Sequence, residues 1–199
     1  MNRFSTLIAD FRPYESKMIK SSPYTIYGEQ DMKEKKLRIY EILKSIQKYD
    51  TLNERLQEIV ECLVKYFDAA FARVWFVDKK RENLILKFSA GIYTQINGEF
   101  SKVPMNSLKI GPCAKKKKPV VTNDVVNDPR IKHHEWAKKE KLKSFAAYPL
   151  IYKGNSVAVL AIFSKKKLSH LDFELLGVFS EQLSKELAGF FEAKNFLSE

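Results

Sequence analysis

The sequence predicts an α+β fold in which one antiparallel sheet of five to six strands is flanked by helices. Two pairs of strand-length apolar runs carry this prediction, and a short polar stretch joins each pair: residues 71–77 with 84–90, and residues 144–152 with 156–163. Helical patterns precede the first pair and follow the second. The 199 residues are enough for one well-buried domain and an appendage.

The composition narrows the class of protein. Hydrophobic residues make up 45% of the chain and charged residues 30%, with seven Gly and seven Pro. These proportions are typical of a globular protein and exclude collagen-like, low-complexity and wholly disordered chains. No apolar run approaches the ~18 residues of a membrane-spanning helix, so we expect a cytoplasmic protein with no membrane partner. The two cysteines do not make a disulfide scaffold.

The formal net charge of +11 raises the question of nucleic-acid binding. Only seven of the 35 basic residues are Arg, the side chain best suited to bidentate contacts with bases and phosphates. The lysine runs 115–118 and 165–167 also fall at the ends of predicted elements and not along one recognition helix. We therefore expect weak attraction to polyanions and no specific nucleic-acid site.

The chain is predicted to have four parts: a partly ordered leader (1–30), a linker or dimer helix (31–50), a domain (51–191) and a C-terminal helix end (192–199). The leader lacks sustained periodicity, whereas the helix after it has apolar residues at helical spacing among charges, including Leu37. The domain opens with Thr51 and Glu54, which have the spacing of a capping box at the start of a helix.

The segment between the two hairpins is predicted to be rich in loops. Residues 91–107 form a long loop with a short strand near 100–103. Gly111-Pro112 opens a short helix, and residues 119–122 form a short strand. Asp128-Pro129 combines a capping residue with a helix-starting proline, so a further helix is predicted from there to about Glu140.

The second hairpin predicts a sheet that is covered on both faces. Alternation places Phe145, Ala147 and Pro149 on one face of its first strand and Ala146, Tyr148 and Leu150 on the other. Both sets are apolar, so both faces must be covered. Proline lacks the N–H that a central strand donates, and Pro149 is therefore expected at an edge or a bulge.

The last helix is predicted to begin at Ser169 and Asp172, which again have capping-box spacing, and to run almost to the end of the chain. Its apolar residues approach a heptad seam, and a second stripe broadens the apolar face. The extra face favours a partner helix, either the first helix of the same chain or one from another copy. The alternative is that both terminal helices only cover their own sheet.

The order of these elements resembles the GAF domain, a small-molecule sensing fold of signalling proteins, over about residues 51–191. The strings that carry the resemblance are Ala72-Arg73-Val74-Trp75-Phe76, Ser89-Ala90-Gly91, Ile110-Gly111-Pro112-Cys113-Ala114, Ser144-Phe145-Ala146-Ala147-Tyr148-Pro149-Leu150 and the strand of residues 157–164. The resemblance implies terminal helices on one face of the sheet and a pocket on the other, walled by the loop and short helices between the hairpins.

The resemblance says less about the ligand class than about the fold, because one fold can host many ligands or none. Cyclic-nucleotide-binding members carry an Asn-Lys, then Phe, then Asp-Glu signature between the last strand and the last helix. The corresponding positions here read Ser164-Lys165, Leu168 and Asp172-Phe173. Cyclic-nucleotide binding of that type is therefore not expected, and neither is covalent pigment attachment, because no cysteine accompanies His133-His134.

Eight residues are candidate ligand contacts in the implied pocket. Tyr148 and Trp136 rank first, because each joins an aromatic body to a polar group that can orient a ligand. The others are Phe145, Trp75, Cys113, Asn123, Asp124 and His133. The alternative for the aromatic residues is an ordinary core position, for the two Asx residues a cap or turn, and for the histidine a solvated surface.

Cys113 raises a redox alternative. Methionine-sulfoxide-reducing relatives attack with a low-pKa cysteine, and Gly111-Pro112-Cys113-Ala114 resembles their resolving segment. The stretch 128–140, where their attacking cysteine would be expected, contains none. We therefore expect no enzyme activity, and the favoured role of Cys113 is that of a small apolar filler. No metal site is expected, because the adjacent His133 and His134 point apart on a helix.

The sequence thus predicts a cytoplasmic sensory or regulatory module, of the kind used in two-component regulation. It would bind a small ligand non-covalently and signal through its terminal helices in a homodimer, with another signalling protein as partner. The alternatives are a ligand-free dimerisation scaffold and a Cys113-based redox sensor or methionine sulfoxide reductase-like enzyme. The ligand and any cofactor are not identified by the sequence.

Overall fold

The structure is a computed structural model that describes residues 26–107 and 109–193. Its helices are Ile26–Ser45 (α1), Leu52–Tyr66 (α2), Ile110–Lys116 (α3), His134–Lys139 (α4), His170–Glu186 (α5) and Ala188–Ala193 (α6). Its strands are Ala69–Val77 (β1), Asn83–Gly91 (β2), Lys102–Pro104 (β3), Val120–Thr122 (β4), Ser144–Tyr152 (β5) and Asn155–Ser164 (β6). Most of the predicted leader and of the predicted C-terminal helix end lies outside the described residues.

The described strands form one antiparallel sheet in the order β3-β2-β1-β6-β5-β4. Both predicted hairpins are confirmed, since β1 pairs with β2 and β5 pairs with β6. The hairpins join along β1 and β6, which places these two strands in the centre of the sheet. The predicted α+β fold with an antiparallel sheet is therefore confirmed.

The second hairpin closes through Lys153 and Gly154, which both adopt positive φ angles, 45° and 74°. Two such central residues are typical of a type I′ turn, whose twist matches that of the flanking strands. Pro149 lies where it was predicted. The short strand β4 pairs only with residues 145–147 of β5, so Pro149 is on an open edge, next to a register irregularity after Leu150.

One face of the sheet is covered by α1, α2, α5 and α6. The start of α2 is a capping box, because Thr51 Oγ1 accepts from the backbone N–H of Glu54 and the Glu54 carboxylate accepts from that of Thr51, both at 3.2 Å. Ser169 and Asp172 form the same arrangement at the start of α5. Each box satisfies N–H groups that have no partner within the helix. The last helix is interrupted at Leu187, in contrast to the single helix that was predicted.

The first helix begins at Ile26, earlier than predicted, and a 3-10 turn over Ile46–Lys48 follows it. Its residues Ile39 and Ile42 are fully buried in the core of their own chain. The extra apolar face of α5 thus has a partner helix within the chain. Leu37 was predicted on the apolar stripe of this helix but is 51% exposed, because it lies on the side of α1 that faces away from the sheet.

The other face is covered by α3, α4 and the connections around them. The helix predicted to start at Asp128-Pro129 begins only at His134. The physical reason is a local turn: the Asp128 carboxylate accepts from the backbone N–H of Arg130 at 2.9 Å and from its Nε at 2.8 Å. These bonds satisfy the carboxylate within the turn, and Ile131 is then buried against the sheet.

Two backbone segments approach each other very closely where the chain passes from β3 into α3. A Cβ atom at Gly111 would lie 2.3 Å from the carbonyl oxygen of Met105, well inside any permitted contact. The backbone N–H of Gly111 donates to Ser107 Oγ at 3.2 Å. Glycine is therefore required here by the approach of two backbone segments, and this approach fixes the path of the chain that carries Lys109.

Candidate functional site

A cavity of about 520 Å³ opens on the face of the sheet opposite the terminal helices. Its walls come from β1, β3, β6, the β2–β3 loop, the start of α3 and the segment from Arg130 to Trp136. The lining residues are Phe71, Arg73, Trp75, Tyr93, Glu99, Phe100, Lys102, Val103, Pro104, Ser107, Lys109, Ile110, Arg130, Ile131, Lys132, His133, Trp136 and Phe163. The volume lies within the range of small-molecule sites.

The floor of the cavity is aromatic. Phe71 of β1 and Phe163 of β6 are stacked, with ring centroids 4.7 Å apart and an interplanar angle of 22°. Trp136 of α4 meets both rings edge-on, at centroid distances of 6.1 and 5.7 Å. These three side chains come from distant parts of the sequence, and they offer a flat apolar surface to a ligand.

Two indole hydrogen bonds hold the β2–β3 loop over the cavity. Trp75 Nε1–H donates to the carbonyl oxygen of Phe100 at 3.0 Å, and Trp136 Nε1–H donates to the hydroxyl of Tyr93 at 2.9 Å. The loop is thus tied at both ends to residues of the cavity wall. Movement of this loop would change the polar contacts of both tryptophans.

Arg73 lies between Phe71 and Trp75 on β1 and shares their face of the strand. Its Nε donates to Ser89 Oγ at 3.2 Å, and its guanidinium carbon lies 5.2 Å from the centroid of the Phe71 ring and 5.8 Å from that of Tyr93. Burial lowers the pKa of the guanidinium below its ordinary value. The charge is stabilised by ring faces and a hydroxyl group, contacts weaker than those of a buried ion pair.

Lys109 enters the cavity from the connection before α3. Its Nζ lies 4.7 Å from the ring centroid of Phe163 and 5.2 Å from that of Phe145. Burial, and next the positive charge of Arg73, lower the pKa of this ammonium group to about 8. In the described part of the chain, no carboxylate forms an ion pair with either Lys109 or Arg73.

At the rim, in contrast to the interior, two basic side chains have an acidic neighbour. Arg130 lies 2.5 Å from the Asp128 carboxylate, and this interaction lowers the pKa of Asp128 to about 2. His133 Nε2 lies 3.6 Å from a carboxylate oxygen of Glu99, and the His133 ring packs edge-on against Phe100. The first pair lies within the turn before α4, and the second joins that segment to the β2–β3 loop.

Three of the eight residues proposed from the sequence line the cavity: Trp75, Trp136 and His133. Phe145 lies directly behind it, since its ring contacts Phe163 at a centroid distance of 4.7 Å and also lies under the Lys109 ammonium. It supports the floor without lining the cavity.

Tyr148 does not lie at the cavity. Its side chain lies on the helix-covered face of β5, where its hydroxyl donates to the carbonyl oxygen of Phe173 at 2.5 Å and its ring meets Gly177 of α5. Burial raises its pKa. The reason for the difference is the strand alternation itself, which puts Tyr148 opposite Phe145 and Ala147.

Asn123 and Asp124 are also away from the cavity. The Asn123 side chain bonds both backbone groups of Leu168: its Nδ2 donates to the carbonyl oxygen at 2.8 Å, and its Oδ1 accepts from the N–H at 2.9 Å. Asp124 is exposed and accepts from Asn127 Nδ2 at 2.9 Å. Asn123 therefore ties the end of β4 to the start of α5, and Asp124 forms a turn.

Cys113 is fully buried under the cavity wall in α3. Burial raises the pKa of its thiol to about 12, so the reactive thiolate is strongly disfavoured at neutral pH. Cys62 lies in the core on the opposite face of the sheet. The arrangement fits an apolar filler and not an attacking cysteine with a resolving partner.

Sequence reasoning missed the two partly buried cations and two of the three floor residues, Phe71 and Phe163. The third, Trp136, was among the predicted contacts. A signal for Arg73 was present, since a charged residue between Phe71 and Trp75 on a buried strand faces the same side as they do. No such signal exists for Lys109. It lies in an irregular connection between β3 and α3, where periodicity does not report direction.

No three His, Cys, Asp or Glu side chains among residues 26–107 and 109–193 converge as a metal-ligand set. Within the same residues, no helix is both long enough and apolar enough to cross a lipid bilayer.

Comparison with known proteins gives the family. The sequence model of the GAF domain matches residues 50–187. No curated protein matches the sequence significantly.

Solved structures with the same fold are distant in sequence. The GAF domain of a phosphoenolpyruvate-protein phosphotransferase from Coxiella burnetii aligns with a TM-score of 0.67 at 18% identity, over 81% of this chain and 98% of that one. Free methionine-R-sulfoxide reductase from Neisseria meningitidis, in complex with its substrate, gives 0.68 at 18% identity over 86% and 96%. A methyl-accepting chemotaxis protein gives 0.62 at 20% identity over 77% and 98%. At these identities the comparison shows the fold alone.

Proposed function

Because the chain belongs to the GAF domain family, a family of sensory and regulatory modules, we propose that its cavity binds a small molecule non-covalently. The observation that carries the proposal is the cavity of about 520 Å³ on the face away from the terminal helices. It combines an aromatic floor with polar groups at its walls, which is the usual composition of a small-molecule site. A ligand-free scaffold would instead be expected to fill this volume with side chains.

Binding would reach the terminal helices through the segment that follows β4. Arg130 of the cavity rim donates to the carbonyl oxygen of Val121 at 3.0 Å as well as to Asp128. Two residues after Val121, Asn123 bonds both backbone groups of Leu168, just before α5. A ligand that binds one position of this segment more tightly than another would shift the start of α5 with it.

The first turn of α5 is connected in turn to α1. Lys35 Nζ lies 3.0 Å from a carboxylate oxygen of Asp172, the residue that completes the capping box of α5. Both charges are partly withdrawn from water, which strengthens their interaction compared with an exposed pair. The signal would therefore leave the domain through α1 and α5 together.

We propose that the output is read in a homodimer formed through the terminal helices. The buried stripe of α1 is used within the chain, so the interface would lie on its exposed side, where Leu37 is 51% exposed. A cytoplasmic setting and a separate signalling protein, as in two-component regulation, complete the proposal.

Native mass spectrometry of freshly purified protein tests ligand binding. We expect a mass above that of the chain, which disappears on denaturation, and compounds that raise the Tm in a thermal-shift screen. In the variant Val103→Trp, a larger side chain fills the cavity, and both signals should be lost. Lys116→Trp adds the same side chain at an exposed position outside the cavity and should behave as wild type. An unmodified mass together with an empty screen would favour the ligand-free scaffold.

Sedimentation equilibrium tests the homodimer. We expect a concentration-dependent dimer that Leu37→Glu weakens, because a charge would be placed in an apolar contact. A monomer at high concentration would contradict the dimer and leave ligand binding in place.

A further inference from the structure

The side chains around the cavity carry an unbalanced positive charge. Among the described residues that line it, one is acidic, Glu99, and five are Lys or Arg. The five are Arg73, Lys102, Lys109, Arg130 and Lys132. Arg130 is neutralised by Asp128, and the Glu99 side chain is 71% exposed at the rim beside His133. Lys102 and Lys132 are exposed and keep their water. Arg73 and Lys109 are the cations that are partly withdrawn from water.

These two cations flank the aromatic floor. Arg73 lies over Phe71 and Lys109 lies over Phe163, and the two rings are stacked at 4.7 Å. The two side chains thus approach the same surface from β1 and from the start of α3. They are near enough for the charge of Arg73 to disfavour the charged form of Lys109.

Holding two like charges against aromatic rings costs free energy, because each has lost part of its hydration and neither has gained a carboxylate among residues 26–107 and 109–193. Ring faces and the hydroxyl of Ser89 recover only part of that loss. An anion placed between the two cations would supply the missing counter-charge and form charge-assisted hydrogen bonds with both. A neutral ligand would leave the repulsion between them unchanged.

We propose that the ligand of this cavity is a small organic anion, whose carboxylate or phosphate group is bound by Arg73 and Lys109 and whose planar apolar body packs on Phe71 and Phe163. This inference rests on the proposed ligand-binding function and names its ligand class. Arg73 supplies a planar fork that matches both kinds of anionic group, and Lys109 supplies a point charge. The aromatic floor favours a body with one flat face.

The test uses the fluorescence of the two tryptophans of the chain, Trp75 and Trp136, since both line the cavity. The full chain is titrated with benzoate, phenyl phosphate and benzamide at constant ionic strength. Benzamide has the shape of benzoate without the charge. We expect at least one of the two anions to bind about tenfold more tightly than benzamide, because hydrogen bonds to charged groups are stronger than neutral ones. The stronger anion identifies the carboxylate or the phosphate as the preferred group.

Variants locate the anionic group. Lys109→Met and Arg73→Met should each weaken binding of the preferred anion about tenfold and leave the weak binding of benzamide unchanged. Arg73→Lys keeps the charge but not the fork, and it should retain part of the affinity. Lys116→Met makes the same change at an exposed position of α3 and should bind as wild type.

The results separate this inference from the proposed function. Two results would overturn the proposal of an anionic ligand and leave the proposed ligand binding in place. One is that benzamide binds as tightly as both anions. The other is that Lys109→Met and Arg73→Met bind the anions as wild type does. A neutral or cationic compound co-purified in the cavity has the same meaning, whereas a co-purified organic anion supports the inference. If no probe binds, nothing co-purifies and the thermal-shift screen finds no stabilising compound, both proposals fail.

Discussion

Both faces of the sheet are apolar, but they differ in whether a partly buried cation has a carboxylate partner. On the helix-covered side, Lys35 lies 3.0 Å from Asp172, so a charge that loses water gains a partner. On the cavity side, Arg73 and Lys109 are partly buried and have no carboxylate partner among the described residues. The partly buried cation of the helix side is thus neutralised within the described residues, whereas those of the cavity side are not, and this difference supports the proposed ligand.

The largest effect on the free energy of unfolding should come from the difference in packing between the two faces. Phe179 of α5 is fully buried on the helix side, and Phe179→Ala should lower the free energy of unfolding by about 3–5 kcal/mol, because it leaves a cavity in a close-packed core. Trp136→Ala removes a larger side chain, but Trp136 already borders open volume and is partly exposed, so we expect a loss of about 1–2 kcal/mol. Urea unfolding measures both values, and equal losses would contradict the contrast between the faces.

A smaller loss of stability is expected when a polar group is removed from the helix side. Tyr148→Phe removes the hydroxyl that donates to Phe173 and should cost about 1–2 kcal/mol of unfolding free energy. Because Tyr148 lies on the helix side, the same variant should leave the benzoate titration unchanged. A weakened titration with unaltered stability would place Tyr148 in the ligand site after all. Trp136→Phe, which loses its bond to Tyr93, is the matched change on the cavity side and should weaken the benzoate affinity that the remaining Trp75 reports.

The smallest effect should be a gain in stability. Lys109→Met removes a charge that the cavity disfavours and should raise the free energy of unfolding by about 1 kcal/mol at pH 7, even though it weakens anion binding. Lys116→Met, at an exposed position of α3, should change stability little. A loss of stability in Lys109→Met would show that Lys109 has a counter-charge in the free protein.

The pH dependence of that gain follows from the lowered pKa of Lys109, about 8 in the folded protein against 10.5 for an ordinary lysine. Between these two values the unfolded chain binds more protons at this site than the folded one, so the stability that depends on Lys109 rises with pH. The advantage of Lys109→Met should therefore be complete below pH 8 and shrink as the pH approaches 10.5. The measured quantity is the difference between variant and wild type.

Taking that difference removes the contribution of groups whose pKa is raised by burial, such as Cys113 and Tyr148. The difference still includes the interactions between the Lys109 ammonium group and the ionisable groups that line the same cavity. These are Arg73 on β1, Lys102 on β3, Glu99 in the β2–β3 loop, and Arg130, Lys132 and His133 before α4. An advantage that stays constant from pH 7 to 10.5 would contradict the lowered pKa.

Much of the fold could be predicted from the sequence because its signals are local. The capping boxes at Thr51 and Ser169 and the Lys153-Gly154 turn depend on residues a few positions apart, and alternation along β5 sorted its side chains correctly into two faces. The start of α4 was wrong because Asp128 bonds to Arg130 instead of capping a helix. That choice depends on a side chain two residues away, and both outcomes have the same sequence pattern.

The site could be predicted only in part, for a different physical reason. Alternation separates the faces of a strand but does not say which face holds the cavity, so Tyr148 was ranked above Trp75 although only Trp75 lies on the cavity side. The floor joins Phe71 to Phe163 across the β1–β6 pairing, which brings together residues far apart in the chain. Lys109 lies in an irregular connection, where no helix or strand periodicity indicates the direction of a side chain.

The close approach of Gly111 to Met105 has an evolutionary consequence. Any Cβ atom at residue 111 would meet the Met105 carbonyl oxygen at 2.3 Å, so the backbone course of this connection tolerates no exchange at that position. Two residues earlier, the side chain at residue 109 projects into open volume and can be exchanged without disturbing that course. Under the proposed ligand binding, substitution of residue 109 would therefore change the chemical preference of the cavity while residue 111 stays glycine.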